Sequence, residues 1–226
     1  MSSSVTRAQI ESYSSDVLRN KIHCDLPSCP VCNTLPTLFL RHQARPRSFY
    51  LLYDMLVHVI LCLVIRWKCP TCKKSFTQQP PFALRNKRYT RETILDFSAS
   101  YLEDEASTYR KAVLDEGVAF FHASTTKEDP ITNKELAPSS LYRWVTSLGG
   151  MMEVLRCAQD LILQKNPASS ICRNLAALEV SPKKYIKIAR ESVLKHCIRL
   201  IHLEAEFRAV FHVSIFPFFA TKCGWG

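Results

Sequence analysis

Apolar and polar positions divide the chain into an N-terminal part with strand character and a C-terminal part with helical periodicity. Two runs rich in branched and aromatic residues, 37–41 and 57–67, predict the strands of a long β-hairpin. Arg45-Pro46-Arg47 marks a turn or an edge between them. Before the hairpin, residues 5–22 are predicted to form a short helix whose apolar face consists of Ile10, Val17 and Leu18.

The middle of the chain changes to helical spacing. Gln78-Gln79-Pro80-Pro81 interrupts secondary structure, and a basic extended connector follows at 82–89. Thr90 is the predicted N-cap of a helix that ends near Leu102. A second helix is predicted over 107–122, with Tyr109, Val113 and Phe120 in the core.

A short amphipathic helix is predicted between Pro138-Ser139 and Gly149-Gly150. Its buried face repeats at intervals of three and four residues, through Leu141, Trp144, Val145 and Leu148. The residues left outside include Ser140, Tyr142, Arg143 and Thr146. Such a helix is typical of the recognition helix of a helix-turn-helix, and an ordinary helix of a bundle is the alternative.

Three further helices are predicted downstream, over 151–166, over 168–178 and from Ser181-Pro182 to about Val210. The last carries a seven-residue repeat of Ile186, Val193, Leu200 and Phe207. Such a seam pairs two helices, either within the chain's own bundle or in a homodimer through the C-terminal helices. The apolar, aromatic tail at 211–225 closes the core or docks onto another subunit.

Composition and charge favour a globular protein that binds a polyanion. The 226 residues are 47% hydrophobic, and the net charge is +10. Eleven Arg and Lys residues and one acid, Asp54, lie between 41 and 91, so this segment alone carries the whole net charge. No membrane span or signal peptide is expected, because the apolar run near 55–65 is short and the N-terminus is polar.

Four of the ten cysteines form two Cys-x-x-Cys pairs, Cys29/Cys32 and Cys69/Cys72. Two such pairs provide four thiolates, the tetrahedral donor set that zinc prefers, and predict one structural zinc in a zinc ribbon. The 36 residues between the pairs exceed the usual separation of about 15–20, which leaves room for the hairpin. His23 and Cys24 are alternative ligands. Cysteines used as ligands favour a reducing, cytoplasmic compartment.

These motifs together resemble the zinc-ribbon plus helix-turn-helix proteins related to the N-terminal DNA-binding regions of bacterial transposases. The resemblance covers about 25–150 and rests on the cysteine pairs, Leu40-Arg41-His42, Arg45-Pro46-Arg47, residues 65–82, Lys87-Arg88-Tyr89 and Ser140–Trp144. It implies DNA binding in mobile-element biology, with a transposase or another mobile-element protein as a partner. The acids here, such as Asp96 and Glu103, lie in helical sequence rather than on alternating strands, so no nuclease and no other enzyme is predicted.

The predicted fold class is α+β, with a zinc ribbon carrying an enlarged hairpin, a helix-turn-helix and a C-terminal helical bundle. Its parts are an N-terminal helix (1–22), the ribbon with its basic hairpin (23–89), the helix-turn-helix region (90–150) and the bundle (151–226). The predicted function is double-stranded DNA binding, in a nucleoid-associated bacterial protein. The predicted contacts are Arg41, Arg45, Arg47, Arg66, Lys68, Lys73, Lys74, Arg85, Lys87, Arg88, Ser140, Tyr142 and Arg143.

Two other functions fit the same residues. In the first, the ribbon is an adaptor that docks a recombinase or polymerase through an acidic protein surface. In the second, the chain binds RNA, and ribbon aromatics act as stacking platforms: Phe39, Phe49, Tyr50, Trp67 and Phe76. The structural alternative for those aromatics is that they form the core of the hairpin.

Overall fold

A computed structural model gives the chain an α+β fold with a three-stranded antiparallel sheet and six helices among the described residues. It describes residues 5–53, 56–105, 108–115, 118–119, 121–122, 136–181, 183 and 188–216. The α+β class predicted from the sequence is therefore confirmed.

The first helix, α1 (Arg7–Leu18), begins at a capping box. The N–H of Gln9 donates to the hydroxyl of Thr6 (3.3 Å), and the N–H of Thr6 donates to Oε1 of Gln9 (2.8 Å). Ile10 and Val17 are buried, as predicted, but Leu18 is 69% exposed and lies off the buried face. The helix ends earlier than predicted because Asn20 adopts a left-handed conformation with φ of 57°.

A long antiparallel hairpin forms the sheet, from β1 (Leu40–Tyr53) and β2 (Leu56–Lys68). The short β3 (Ser75–Gln78) pairs with the other edge of β2, next to the cysteine knuckles. Thirteen residues of β2 extend roughly 40 Å. The predicted turn at Arg45-Pro46-Arg47 is wrong, because these residues lie inside β1. The alternative prediction, that these residues lie at the edge of a sheet, is correct. Pro46 is tolerated because β1 pairs only with β2 at this point, so no strand on its other side needs the missing N–H.

The connector at 82–89 adds to the free edge of β1. The N–H of Tyr50 donates to the carbonyl of Arg88 (2.8 Å), and the N–H of Thr90 donates to the carbonyl of Tyr50 (3.2 Å). Thr90 is the N-cap of α2 (Arg91–Glu103), as predicted, although its hydroxyl contacts the hydroxyl of Thr93 instead of a backbone N–H. The connector is thus attached to the hairpin before the helices begin.

The helix predicted over 107–122 is wrong. A 3₁₀ turn (Lys111–Val113) and three short strands, β4 (Leu114–Asp115), β5 (Val118–Ala119) and β6 (Phe121–His122), replace it in the described part of that segment. β6 pairs in parallel with Leu56 and Val57, at the start of β2. An open sheet edge thereby overrides the local helical pattern. Phe120, one of the predicted core residues, lies outside the described residues.

The remaining helices are α3 (Pro138–Gly149), α4 (Met152–Lys165), α5 (Ser170–Asn174) with a 3₁₀ turn (Leu175–Ala177), and α6 (Ile188–Phe211). α6 packs against α2, α3, α4 and α5. Its described start is later than predicted, since Lys183 is not helical. Leu200 and Phe207 of the predicted seam are fully buried in the chain's own core, whereas Ile186 lies outside the described residues.

Two hydrophobic cores lie along the hairpin. One joins α1 to the knuckle half of the sheet, with Ile10, Phe49 and Ile65 at its centre. The other joins the start of β2, through Val57, to the helices α2–α6. The hairpin therefore connects the cysteine knuckles to the helical bundle.

Candidate metal centre and basic surface

The two cysteine knuckles have the same backbone conformation. In the first, the N–H of Cys29 donates to the carbonyl of Thr34 (2.8 Å). In the second, the N–H of Cys69 donates to the carbonyl of Lys74 (2.9 Å). Each knuckle is therefore a closed turn that presents both of its thiols on one side.

The residue after each second cysteine completes this turn. Asn33 and Lys73 both adopt the left-handed conformation, with φ of 56° and 63°. The N–H of Asn33 donates to the carbonyl of Cys29 (2.8 Å), and the N–H of Lys73 donates to the carbonyl of Cys69 (3.1 Å). Asparagine accepts this conformation readily but lysine does not, so at Lys73 the closed turn must compensate for the backbone strain.

The four sulfur atoms converge on one point. Cys29 Sγ lies 3.4 Å from Cys72 Sγ, and Cys32 Sγ lies 3.5 Å from Cys69 Sγ. All four lie within 4.8 Å of one another. A tetrahedral ion with metal–sulfur distances of about 2.3 Å needs sulfurs about 3.8 Å apart, so the cluster is compatible with one structural metal ion. His23 and Cys24 are not part of the cluster found among the described residues.

Thiol ionisation also favours a cation at this point. Burial opposes the Cys69 thiolate, but hydrogen bonds from the backbone of Cys72 and Thr71 and from the Thr34 hydroxyl outweigh it and lower the Cys69 pKa to about 6. At Cys72 the backbone of Lys74 favours the thiolate, but burial and the neighbouring sulfurs raise the pKa to about 12. The site cannot hold four thiolates together unless a positive ion lies between them.

The ribbon aromatics form core around this centre. Phe39, Phe49 and Trp67 are at most 7% exposed. The ring of Phe39 stacks on Phe76 with centroids 5.8 Å apart, and the indole N–H of Trp67 donates to Oε1 of Gln78 (2.7 Å). Three of the five residues considered as stacking platforms are therefore not accessible to a base.

Basic residues from three segments converge at the outer edge of β1. Nη2 of Arg47 donates to the carbonyl of Lys87 (2.9 Å), and Nη1 of Arg88 donates to the hydroxyl of Tyr50 (3.0 Å). Burial, then the charge of Arg88, lowers the pKa of Arg47. Burial, then the charge of Arg143, lowers the pKa of Lys87. We call Arg47, Lys87, Arg88 and Arg143 the basic cluster.

Packing between the connector and α3 holds this cluster together. Tyr89 contacts Tyr50 at a centroid distance of 5.0 Å and Trp144 at 4.9 Å. Trp144 lies on the buried face of α3, so its neighbour Arg143 is directed outward beside the connector. No carboxylate is among the described groups that set the pKa values of Arg47 and Lys87.

Other predicted contact residues lie elsewhere or have structural partners. Nη2 of Arg41 donates to the carbonyl of Val17 at the end of α1 (2.5 Å). Arg45 donates to the side chain of Gln43 (2.7 Å), and Nζ of Lys73 donates to the carbonyl of Pro70 (2.6 Å). The other four are distributed along the ribbon and connector: Arg66 and Lys68 are half-buried in β2, and Lys74 and Arg85 are exposed.

On α3 the structure differs from the predicted outward face in two respects. Ser140 is half-buried, whereas Tyr142 and Arg143 are exposed. The guanidinium of Arg190 lies 4.3 Å from the ring centre of Tyr142, and its Nη1 donates to the hydroxyl of Thr146 (2.6 Å). Sequence reasoning missed Arg190, because nothing in the pattern of α6 indicates that it reaches the outer face of α3.

Comparison with protein-family models, with curated proteins and with solved structures finds no match for this chain. None of the helices in the described ranges has the length and apolar character needed to cross a membrane. The function must therefore be inferred from the metal centre and the basic cluster.

Proposed function

We propose that this chain is a duplex DNA-binding protein with one structural zinc, and that it acts as a recognition factor or regulator for a mobile element without a nuclease of its own. The observation that carries the proposal is the basic cluster. Four cationic side chains from β1, the connector and α3 converge, although up to 96 residues separate them in the chain. Clustered like charges create a positive surface potential that attracts a polyanion.

Zinc is the ion we assign to the four cysteines. It takes four thiolates in a closed tetrahedral site and has no redox chemistry of its own. The donor set has no open position for a substrate, so the metal folds the ribbon and takes no part in a reaction. The chain's own residues perform the binding.

In this proposal the basic cluster neutralises phosphates and α3 supplies the sequence or shape readout. Arg143 is the exposed member of the cluster on α3, and its five N–H donors allow it to contact a base edge as well as a phosphate, while Lys87 and Arg88 contact the backbone. Tyr142 is 48% exposed, but Arg190 holds its ring, which favours a positioning contact for Tyr142.

The test is binding of the zinc-loaded full chain to labelled duplex DNA over a range of salt concentrations, with bound zinc measured on the same sample. Affinity should fall steeply with salt, because counterions are released from each neutralised phosphate. An Arg143→Ala variant should bind with less discrimination among sequences selected from a random pool. Affinity that is insensitive to salt would refute DNA binding, and unchanged discrimination would remove α3 from the reading role.

A further inference from the structure

Exposed apolar side chains concentrate around the first cysteine knuckle. Among the described residues, eight large apolar side chains are exposed, and four of them lie between residues 31 and 40. These are Val31 (61%), Leu35 (59%), Leu38 (58%) and Leu40 (59%), which we call the knuckle patch. Single exposed apolar residues are ordinary, but a concentration of them in one place indicates an interaction surface.

The backbone holds these side chains outward. The N–H of Leu38 donates to the carbonyl of Leu35 (3.1 Å), which closes the 3₁₀ turn before β1. Phe39, between Leu38 and Leu40, is 6% exposed and packs inward on Phe76. Successive side chains of an extended segment alternate between faces, so burial of Phe39 requires Leu38 and Leu40 to face solvent.

Positive charge lies beside the knuckle patch. The sequence has no Asp or Glu from residue 26 to residue 53. Leu40 is paired with Lys68 in the β ladder. A hydrogen bond joins the Thr34 and Thr71 hydroxyls (3.0 Å), which keeps the second knuckle, with its exposed Lys73 and Lys74, beside the first.

Duplex DNA is bound mainly through its charged phosphates, which offer no apolar surface to four exposed branched side chains. We propose that the knuckle patch docks an acidic amphipathic segment of another protein. Apolar anchors of that segment would cover Leu35, Leu38 and their neighbours, and its carboxylates would meet the lysines of the second knuckle. Because the lysines beside the patch are positive, charge complementarity requires a negatively charged partner. The apolar patch provides the contact area. This interaction does not depend on DNA binding, since the patch and the basic cluster share no residue.

The test uses the zinc-loaded full chain and a fluorescent synthetic peptide in which leucines alternate with aspartates and glutamates. Two matched peptides replace the acids by lysines or the leucines by serines. We expect only the first peptide to bind. The variants Leu35→Ser/Leu38→Ser and Lys73→Glu/Lys74→Glu should each weaken its binding by about tenfold or more. Zinc content and the far-ultraviolet circular dichroism of each variant should match those of the unmodified chain.

Leu61→Ser is the matched control, because Leu61 is 65% exposed in the middle of β2, away from the knuckles. It should leave peptide affinity unchanged. Equal affinity of the unmodified chain and the two double variants would overturn the proposal, as would binding of the lysine peptide. Self-association that depends on Leu35 and Leu38, seen by sedimentation, would also overturn it by making a second copy the occupant. DNA affinity should not change in Leu35→Ser/Leu38→Ser, and its loss would assign the patch to nucleic acid.

Discussion

Removing two charges from the basic cluster should halve the salt dependence of DNA binding. The perturbation is Lys87→Gln with Arg143→Gln, because Arg143 lies close enough that its charge, after burial, lowers the pKa of Lys87. Each neutralised phosphate contributes about 0.9 to the slope of log affinity against log salt. If all four members of the cluster contact phosphates, the slope is about 3.6, and with two of them left it is about 1.8.

These slopes predict a large difference in how far the DNA affinity of the two proteins falls with salt. Between about 50 and 200 mM salt, affinity should fall roughly 150-fold for the unmodified chain and roughly 12-fold for the double variant. Fluorescence anisotropy of a short labelled duplex measures both. Arg156→Gln is the control, because Arg156 is exposed on α4 and pairs with Glu153 at 3.2 Å, outside the cluster. Its slope should equal that of the unmodified chain.

Two results would refute this reasoning. An unchanged slope in the double variant would mean that the cluster does not contact phosphate. A fall in slope for the α4 control half as large as that of the double variant would mean that net charge alone, and not the position of the charges, determines binding, because the control removes one charge and the double variant removes two. Thermal melting provides a further check: removing Arg143 relieves repulsion on Lys87, so the melting temperature of Arg143→Gln should not decrease.

Three further predictions concern the metal and the packing. Cys69→Ser should abolish stoichiometric zinc and, by hydrogen exchange, deprotect residues 23–49 and 60–80 while the start of β2 and the helices of the bundle stay protected, because the two cores are separate. Gly149→Ala should destabilise the fold by about 3 kcal/mol in denaturant unfolding, since an added Cβ would lie 2.2 Å from the carbonyl oxygen of Val193 on α6. Arg190→Ala should reduce stability by about 1 kcal/mol through the lost cation–π contact, a fall of about 3 °C in melting temperature.

For each of these three predictions, one result would contradict it. Full zinc content in Cys69→Ser would show that three cysteines or another residue complete the site. Gly150→Ala is the control for Gly149→Ala, because its Cβ would meet no atom closer than 3.4 Å, and equal destabilisation would place the effect in helix termination instead. An unchanged melting temperature in Arg190→Ala would show that this arginine does not hold α3.

Local features of the fold could be predicted from the sequence. The cysteine knuckles depend on residues within six positions of each other, and their bonds return to the same turn. The buried face of α3 could be predicted too, because Leu141, Trp144 and Val145 each contribute to one helical stripe. In both cases the information that determines the structure is contained in the segment itself.

Features that depend on a distant partner could not be predicted. The segment around Lys111–Val113 has a helical pattern, and only the vacant edge of β2 explains why β6 forms a strand. α3 ends at Gly149, as the sequence predicts, but the sequence does not show that the missing side chain of Gly149 allows α6 to approach. The basic cluster shows the same limit: charge counting detected Lys87 and Arg143 but not their proximity.

The hairpin register links the metal centre to the basic cluster. Cys69 directly follows β2, so a metal held at the knuckles fixes where the strand pairing begins. Arg47 shares a face of β1 with Phe49, and its guanidinium lies 5.3 Å from that ring. A slip of one residue would turn Phe49 out of the core and Arg47 away from the connector. Because burial of Phe49 opposes that slip at one end and the metal opposes it at the other, the position of Arg47 is determined from both ends. In the DNA-binding proposal, the zinc therefore acts on binding through strand register, without approaching the nucleic acid.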